Sequence, residues 1–166
     1  MTKLPIEDIK LKFRYKSQHN NGWPLIAILI NDQIVTTFEA NENVYEVTHS
    51  FYPKGVNTLK LHHFGKNYFT DGNPDKFFQL EQAWINDVDL KHHIHKFKQT
   101  ALLPPWDTVA PPEHSLYLGH NGFLSLNFSS PVNTWIQDLF GVNQDTMHGQ
   151  QTTRQVLDQV KGYFDL

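Results

Sequence analysis

The chain has 166 residues, 39% of them apolar, 19% charged and 13% aromatic, with a formal net charge of −3. That is about one domain of length and enough apolar material for one core, which excludes wholesale disorder. Cysteine is absent, which excludes disulfides, thiolate metal sites and cysteine nucleophiles, and no basic footprint exists for a nucleic-acid partner beyond the short stretch 91–98.

Residues 8–16 alternate Ile9, Leu11, Phe13 and Tyr15 against Lys10, Lys12, Arg14 and Lys16. Period-two alternation predicts a strand with one face buried, and the cationic face suits an edge position. The polar cluster 17–22 predicts a turn. The apolar run 23–30 predicts a strand covered on both faces, and it falls far short of the ~20 residues of a membrane span. Asn31-Asp32 separates it from the strand-like run 33–38, which predicts a β-hairpin without the usual glycine. Further strands are predicted at 43–51, 56–64, 76–85 and 88–90, with turns at Tyr52-Pro53-Lys54-Gly55 and Asn86-Asp87. In 56–64 the alternation holds only in part.

The basic, His-rich stretch 91–100 reads as a short helix or an extended arm. Four prolines around Trp106 make 101–113 an extended surface excursion. Short strands are predicted at 115–118 and 123–128, flanking a turn at Gly119-His120-Asn121-Gly122. Ser129-Ser130 before Pro131 predicts a serine-capped helix over 133–140, stopped by Gly141. A polar loop follows, then a C-terminal helix capped at Thr152 or Thr153 with Val156, Leu157, Val160 and Phe164 on one stripe. Seven or eight short strands, with helices only late, predict an all-β fold: an antiparallel β-sandwich of jelly-roll type with a short C-terminal helical extension. Residues 1–100 would form its core, and 101–166 would add the proline-rich excursion, the last strands and the tail within the same domain.

Ten histidines invite a metal reading, with His92, His93 and His95 clustered. On a strand His93 and His95 would share a face, but a third ligand is lacking, so hydrogen-bonded or solvated histidines are the expected state. The loop Asp71-Gly72-Asn73-Pro74-Asp75 places oxygens at alternate positions. An EF-hand is rejected, because Lys76 and Gln82 stand where the turn glycine and the bidentate acid belong. A looser calcium site on Asp71, Asn73 and Asp75 stands beside the plainer reading of a solvated Asx turn. No P-loop, dinucleotide fingerprint or nucleophile elbow occurs, so a non-enzymatic role is expected. Tyr68, Phe69 and Trp106 fall in loops, where an aromatic ring can contact a glycan or a protein partner. Trp84 and Trp135 fall inside regular elements and are expected in the core.

Pro24 to Asp32, then 56–66 ending in His63-Phe64-Gly65-Lys66, then 75–90 with Ile85-Asn86-Asp87-Val88, resemble in strand order the xylan-binding-type carbohydrate-binding modules. That resemblance implies a small jelly roll, often calcium-dependent, that binds a glycan; the Asp-rich site of those modules is not clearly reproduced after Leu61. Taken whole, the chain resembles a class of small virion-associated proteins of tailed bacteriophages. The resemblance rests on His63-Phe64-Gly65-Lys66, on Tyr117-Leu118-Gly119-His120-Asn121-Gly122, and on the segment from Phe128 through Pro131 to Trp135. It implies a structural or binding role without catalysis, with virion proteins or copies of itself as partners and 104–166 supplying contacts. Assembly in the host cytoplasm fits an N-terminus without the apolar stretch of a secretory signal.

Overall fold

A computed structural model describes residues 5–19, 22–66, 76–104, 106–107 and 109–141. Among the described residues ten strands form two antiparallel sheets. They are β1 (Glu7–Ser17), β2 (Leu25–Ile30), β3 (Gln33–Glu39), β4 (Val44–Phe51), β5 (Val56–Phe64), β6 (Phe78–Ile85), β7 (Val88–Asp89), β8 (Lys98–Leu102), β9 (Tyr117–Leu118) and β10 (Asn121–Ser129). The first sheet runs β4-β1-β6-β7, with β9 also on β6; the second runs β3-β2-β5-β10-β8. The predicted all-β sandwich is therefore the observed architecture, with a helix α1 (Val132–Leu139) after the last strand. The predicted polar loop and C-terminal helix beyond residue 141 lie outside the described residues.

The core forms where the inward faces meet. Ile9, Leu11, Phe13 and Tyr15 of β1 pack with Ile26 and Ile28 of β2, Leu59 and Leu61 of β5, and Leu124, Leu126 and Phe128 of β10. β1 is not an edge strand. It lies between β4 and β6, and its outward lysines pair with carboxylates on those neighbours instead, Lys10 with Glu46 and Lys16 with Glu81. Lys10 bonds Asp87 at 2.8 Å and Glu46 at 3.1 Å, and these contacts, Asp87 first, raise its pKa. Trp84 is likewise not in the core. Ala83 and Ile85 point inward, so Trp84 points outward, with the Lys12 ammonium 4.9 Å from its ring.

Both two-residue hairpins solve the missing-glycine problem in the same way. Asn31 and Asp32 take φ of 52° and 64°, and Asn86 and Asp87 take 50° and 66°. Both central residues of such turns need positive φ, which Asn and Asp tolerate better than other side chains. The stretch 91–100 contains both predicted conformations in succession, a 3-10 helix at Lys91–Lys96 and then β8. His93 and His95 are therefore not strand neighbours. His93 meets the Phe140 ring edge-on at 5.1 Å.

The helix start differs from the predicted serine cap. Pro131 is the cap residue, after a cis Ser130–Pro131 bond, and no side chain of the cap closes the turn. The Val132 N–H donates to the Glu7 carboxylate of β1 instead. Ser130 is thereby free to face Asn57, whose amide donates to its Oγ at 3.0 Å. The predicted stop holds, with Gly141 at φ 72°.

β10 is a central strand, paired to β5 on one side and β8 on the other. At Gly122 the backbones of β8 and β10 approach so closely that a Cβ would lie 2.3 Å from the Thr100 carbonyl oxygen and 3.0 Å from Ala101 Cα. Gly122→Ala should force β8 away from β10 and cost about 2 kcal/mol, the scale of overpacking. Urea denaturation measures it; an unchanged midpoint would show that β8 shifts freely.

Candidate functional site

At one end of the sandwich the chain crosses between the sheets four times, after β1, β3, β5 and β9, and the last two crossings frame the candidate site. The chain passes from β5 to β6 through residues 65–77, and from β9 to β10 through Gly119 and His120. β5 and β10 pair with His63 opposite Gly122, so the two crossings lie side by side. Polar contacts tie them together. The Lys66 N–H donates to Asn121 Oδ1 at 3.0 Å, and Asn121 Nδ2 donates back to the Lys66 carbonyl at 2.9 Å. Lys66 Nζ donates to the Gly119 carbonyl.

His63 lies beneath this clasp, fully buried, with Nδ1 3.1 Å from the His120 carbonyl oxygen. A carbonyl only accepts, so Nδ1 carries the proton. Nε2 has no hydrogen-bond partner among the described residues. Burial, reinforced by the Lys66 and Lys76 charges against the carbonyl contacts, pushes the His63 pKa down to about 4. The ring is neutral at physiological pH.

The sequence-predicted residues relate to this end as follows. Tyr68, Phe69, Asp71, Asn73 and Asp75 lie outside the described residues. The lysines on either side of them in sequence, Lys66 and Lys76, are buried, and their charges both act on His63. Trp106 is 59% exposed. Its neighbour Asp107 places Oδ2 3.6 Å from His120 Nε2, which brings the proline-rich stretch to the same crossing. Among the described residues no three His, Asp or Glu side chains gather into a metal-holding cluster.

A second surface was not singled out by sequence. On the outer face of the second sheet His62 stacks on Phe123 at 4.3 Å, with Phe64 5.6 Å from His62. Lys60 sits 5.3 Å from the Phe123 ring and pairs with Asp32 at 2.8 Å. Burial, then the Lys60 charge, lowers the His62 pKa. The signal was present in the strand period, since inward Leu59 and Leu61 leave Lys60, His62 and Phe64 outward.

This architecture recurs in solved structures. The carbohydrate-binding module vCBM60 in complex with galactobiose matches with a TM-score of 0.50 and 13% identity, over 71% of this chain and 98% of that one. The likeness is one of fold. A selenomethionine form of vCBM60, from work linking two families of calcium-dependent carbohydrate-binding modules by circular permutation, matches with a TM-score of 0.51 and 11% identity. It covers 71% of this chain and 89% of that module. No family model and no curated protein matches the sequence.

Proposed function

We propose that this protein is a non-enzymatic binding protein of a tailed-phage particle, whose carbohydrate-binding-module-like sandwich attaches it to a glycan. The observation that carries the binding role is the shared sandwich, one relative of which is a galactobiose complex. The particle role is supported by the resemblance running through 117–122 and 128–135. Those segments are fold-closing here: Asn121 clasps Lys66, and Asn133 Oδ1 accepts from Asn86 Nδ2 at 2.8 Å. Partner contacts then fall to exposed groups such as Trp106, to other virion proteins or to further copies of the chain. Mass spectrometry of purified particles of the encoding phage should detect the protein in stoichiometric amount; its absence would remove the particle role.

A second reading is a calcium-assisted polysaccharide-binding module outside any particle. The exposed Trp106 favours it, because Asp107 beside it meets His120 at the β9–β10 crossing and so holds an accessible indole at this end of the sandwich. Trp106→Ala should weaken glycan binding about tenfold, the loss of one good stacking contact. A chelator should abolish binding if calcium bridges protein and sugar. Titration calorimetry with galactobiose and longer galactans reads both; binding indifferent to chelator and to Trp106 would place the ligand elsewhere.

A further inference from the structure

Where β8 begins, the 3-10 helix and the chain at His114 enclose an open cleft of about 390 Å³ against the outer face of β10. Its walls are His95, Lys96, Lys98 and His114, and its floor includes Ser125 and Asn127. We propose that this cleft binds a carboxylated glycan, a chain of uronic acid residues. The inference rests on the glycan-binding reading above and names a ligand class and a site for it.

The lining is rich in donors and holds no carboxylate. Lys96 has no acidic partner among the described residues. Lys98 pairs only loosely with Glu113, at 3.7 Å and with both side chains more than half exposed. Such a pair contributes little and exchanges readily for a ligand carboxylate. Asn127 accepts from Thr58 through Oδ1 at 3.1 Å, which leaves its Nδ2 hydrogens and the Ser125 hydroxyl to meet sugar hydroxyls. His114 is fixed against the His95 carbonyl at 3.3 Å.

The cleft also continues along the sheet. Ser125 stands between Lys98 of β8 and Lys60 of β5, so the two ammonium stems rise from strands roughly 10 Å apart. Phe123 lies two residues along β10 on the same face, carrying the stacked ring of His62. Lys96 and Lys98 as cations for carboxylates, an amide and a hydroxyl for ring hydroxyls, and an apolar ridge for the sugar C–H face form one continuous strip, bordered by Lys60 in its pair with Asp32. An inorganic anion would use only the cations. A nucleic acid would need a longer basic track than these lysines supply.

The test is calorimetry of the full chain against oligogalacturonate and its fully methyl-esterified form, which keeps the sugar chain and removes the charge. The acid form should bind at least about tenfold more tightly. The double substitution Lys96→Gln/Lys98→Gln should remove that preference. Glu113→Gln, which releases Lys98, should strengthen binding several-fold, an effect no loss of folding can imitate. Equal affinity for acid and ester, or no response to these substitutions, overturns the inference. So does equal binding of a short single-stranded DNA, since charge alone would then explain the affinity. Binding of uncharged galactans that ignores the lysine substitutions overturns this site while leaving the glycan-binding reading intact. Failure of every glycan to bind overturns both.

Discussion

Replacing Asn57 by Leu is expected to destabilise the sandwich by about 4 kcal/mol, although Leu nearly matches the side chain in volume. Asn57 is fully buried on the inward face of β5, at the end of the sandwich opposite the Lys66–Asn121 clasp. Its Oδ1 accepts from the Lys54 N–H at 2.7 Å and from Asn31 Nδ2 at 3.0 Å. Its Nδ2 donates to Ser130 Oγ at 3.0 Å and to the Phe128 carbonyl at 3.4 Å. One amide therefore joins the β2–β3 turn, the approach to β5 and the end of β10. Leu would strand several of those partners without water, each at a cost of about 1–3 kcal/mol, with relaxation recovering part of it. Ser130→Ala removes a single partner and should cost about 1 kcal/mol. Urea midpoints of the two variants measure the contrast. A loss below about 1 kcal/mol for Asn57→Leu would mean that water reaches this end and satisfies the orphaned groups.

Asn57 also shows what the sequence concealed. Strand β1 was legible because every inward position from Ile9 to Tyr15 is apolar. Strand β5 was only half legible because its inward row reads Asn57, Leu59, Leu61, His63, with polar residues at both ends. Each of them has a partner more than fifty positions away, Ser130 for Asn57 and His120 for His63, which no local pattern records. Strand order is hidden for the same reason. The lysines of β1 suit an edge, yet their acids, Glu46 and Asp87, come from β4 and from the turn after β6. Trp84 could have been placed correctly, since its neighbours Ala83 and Ile85 fix its parity. At the candidate site the sequence singled out Trp106 by its place in a proline-rich stretch, and its side chain is exposed there. It offered no sign that Asn121 and Lys66 would clasp, because that contact exists only once β10 has entered the sheet between β5 and β8.

Acid should loosen the other end of the sandwich, through His63. In the unfolded chain this imidazole takes a proton near its ordinary 6.5; in the folded chain it resists down to about 4. Between those values the unfolded state binds more protons, so stability falls as pH falls. The contribution is fully present above pH 6.5, declines through the window and is lost below about 4. The depression corresponds to about 3 kcal/mol. Burial sets the sign, through the cost of enclosing an imidazolium, and the Lys66 and Lys76 charges add repulsion that the carbonyls of His120 and Leu118 oppose. His63→Asn keeps an amide donor at the position of Nδ1, toward the His120 carbonyl, and cannot titrate. Urea denaturation at steps from pH 7.5 to 4 should show the native protein losing about 3 kcal/mol more than this variant across the window. Parallel profiles would mean that the ring already reaches water when folded.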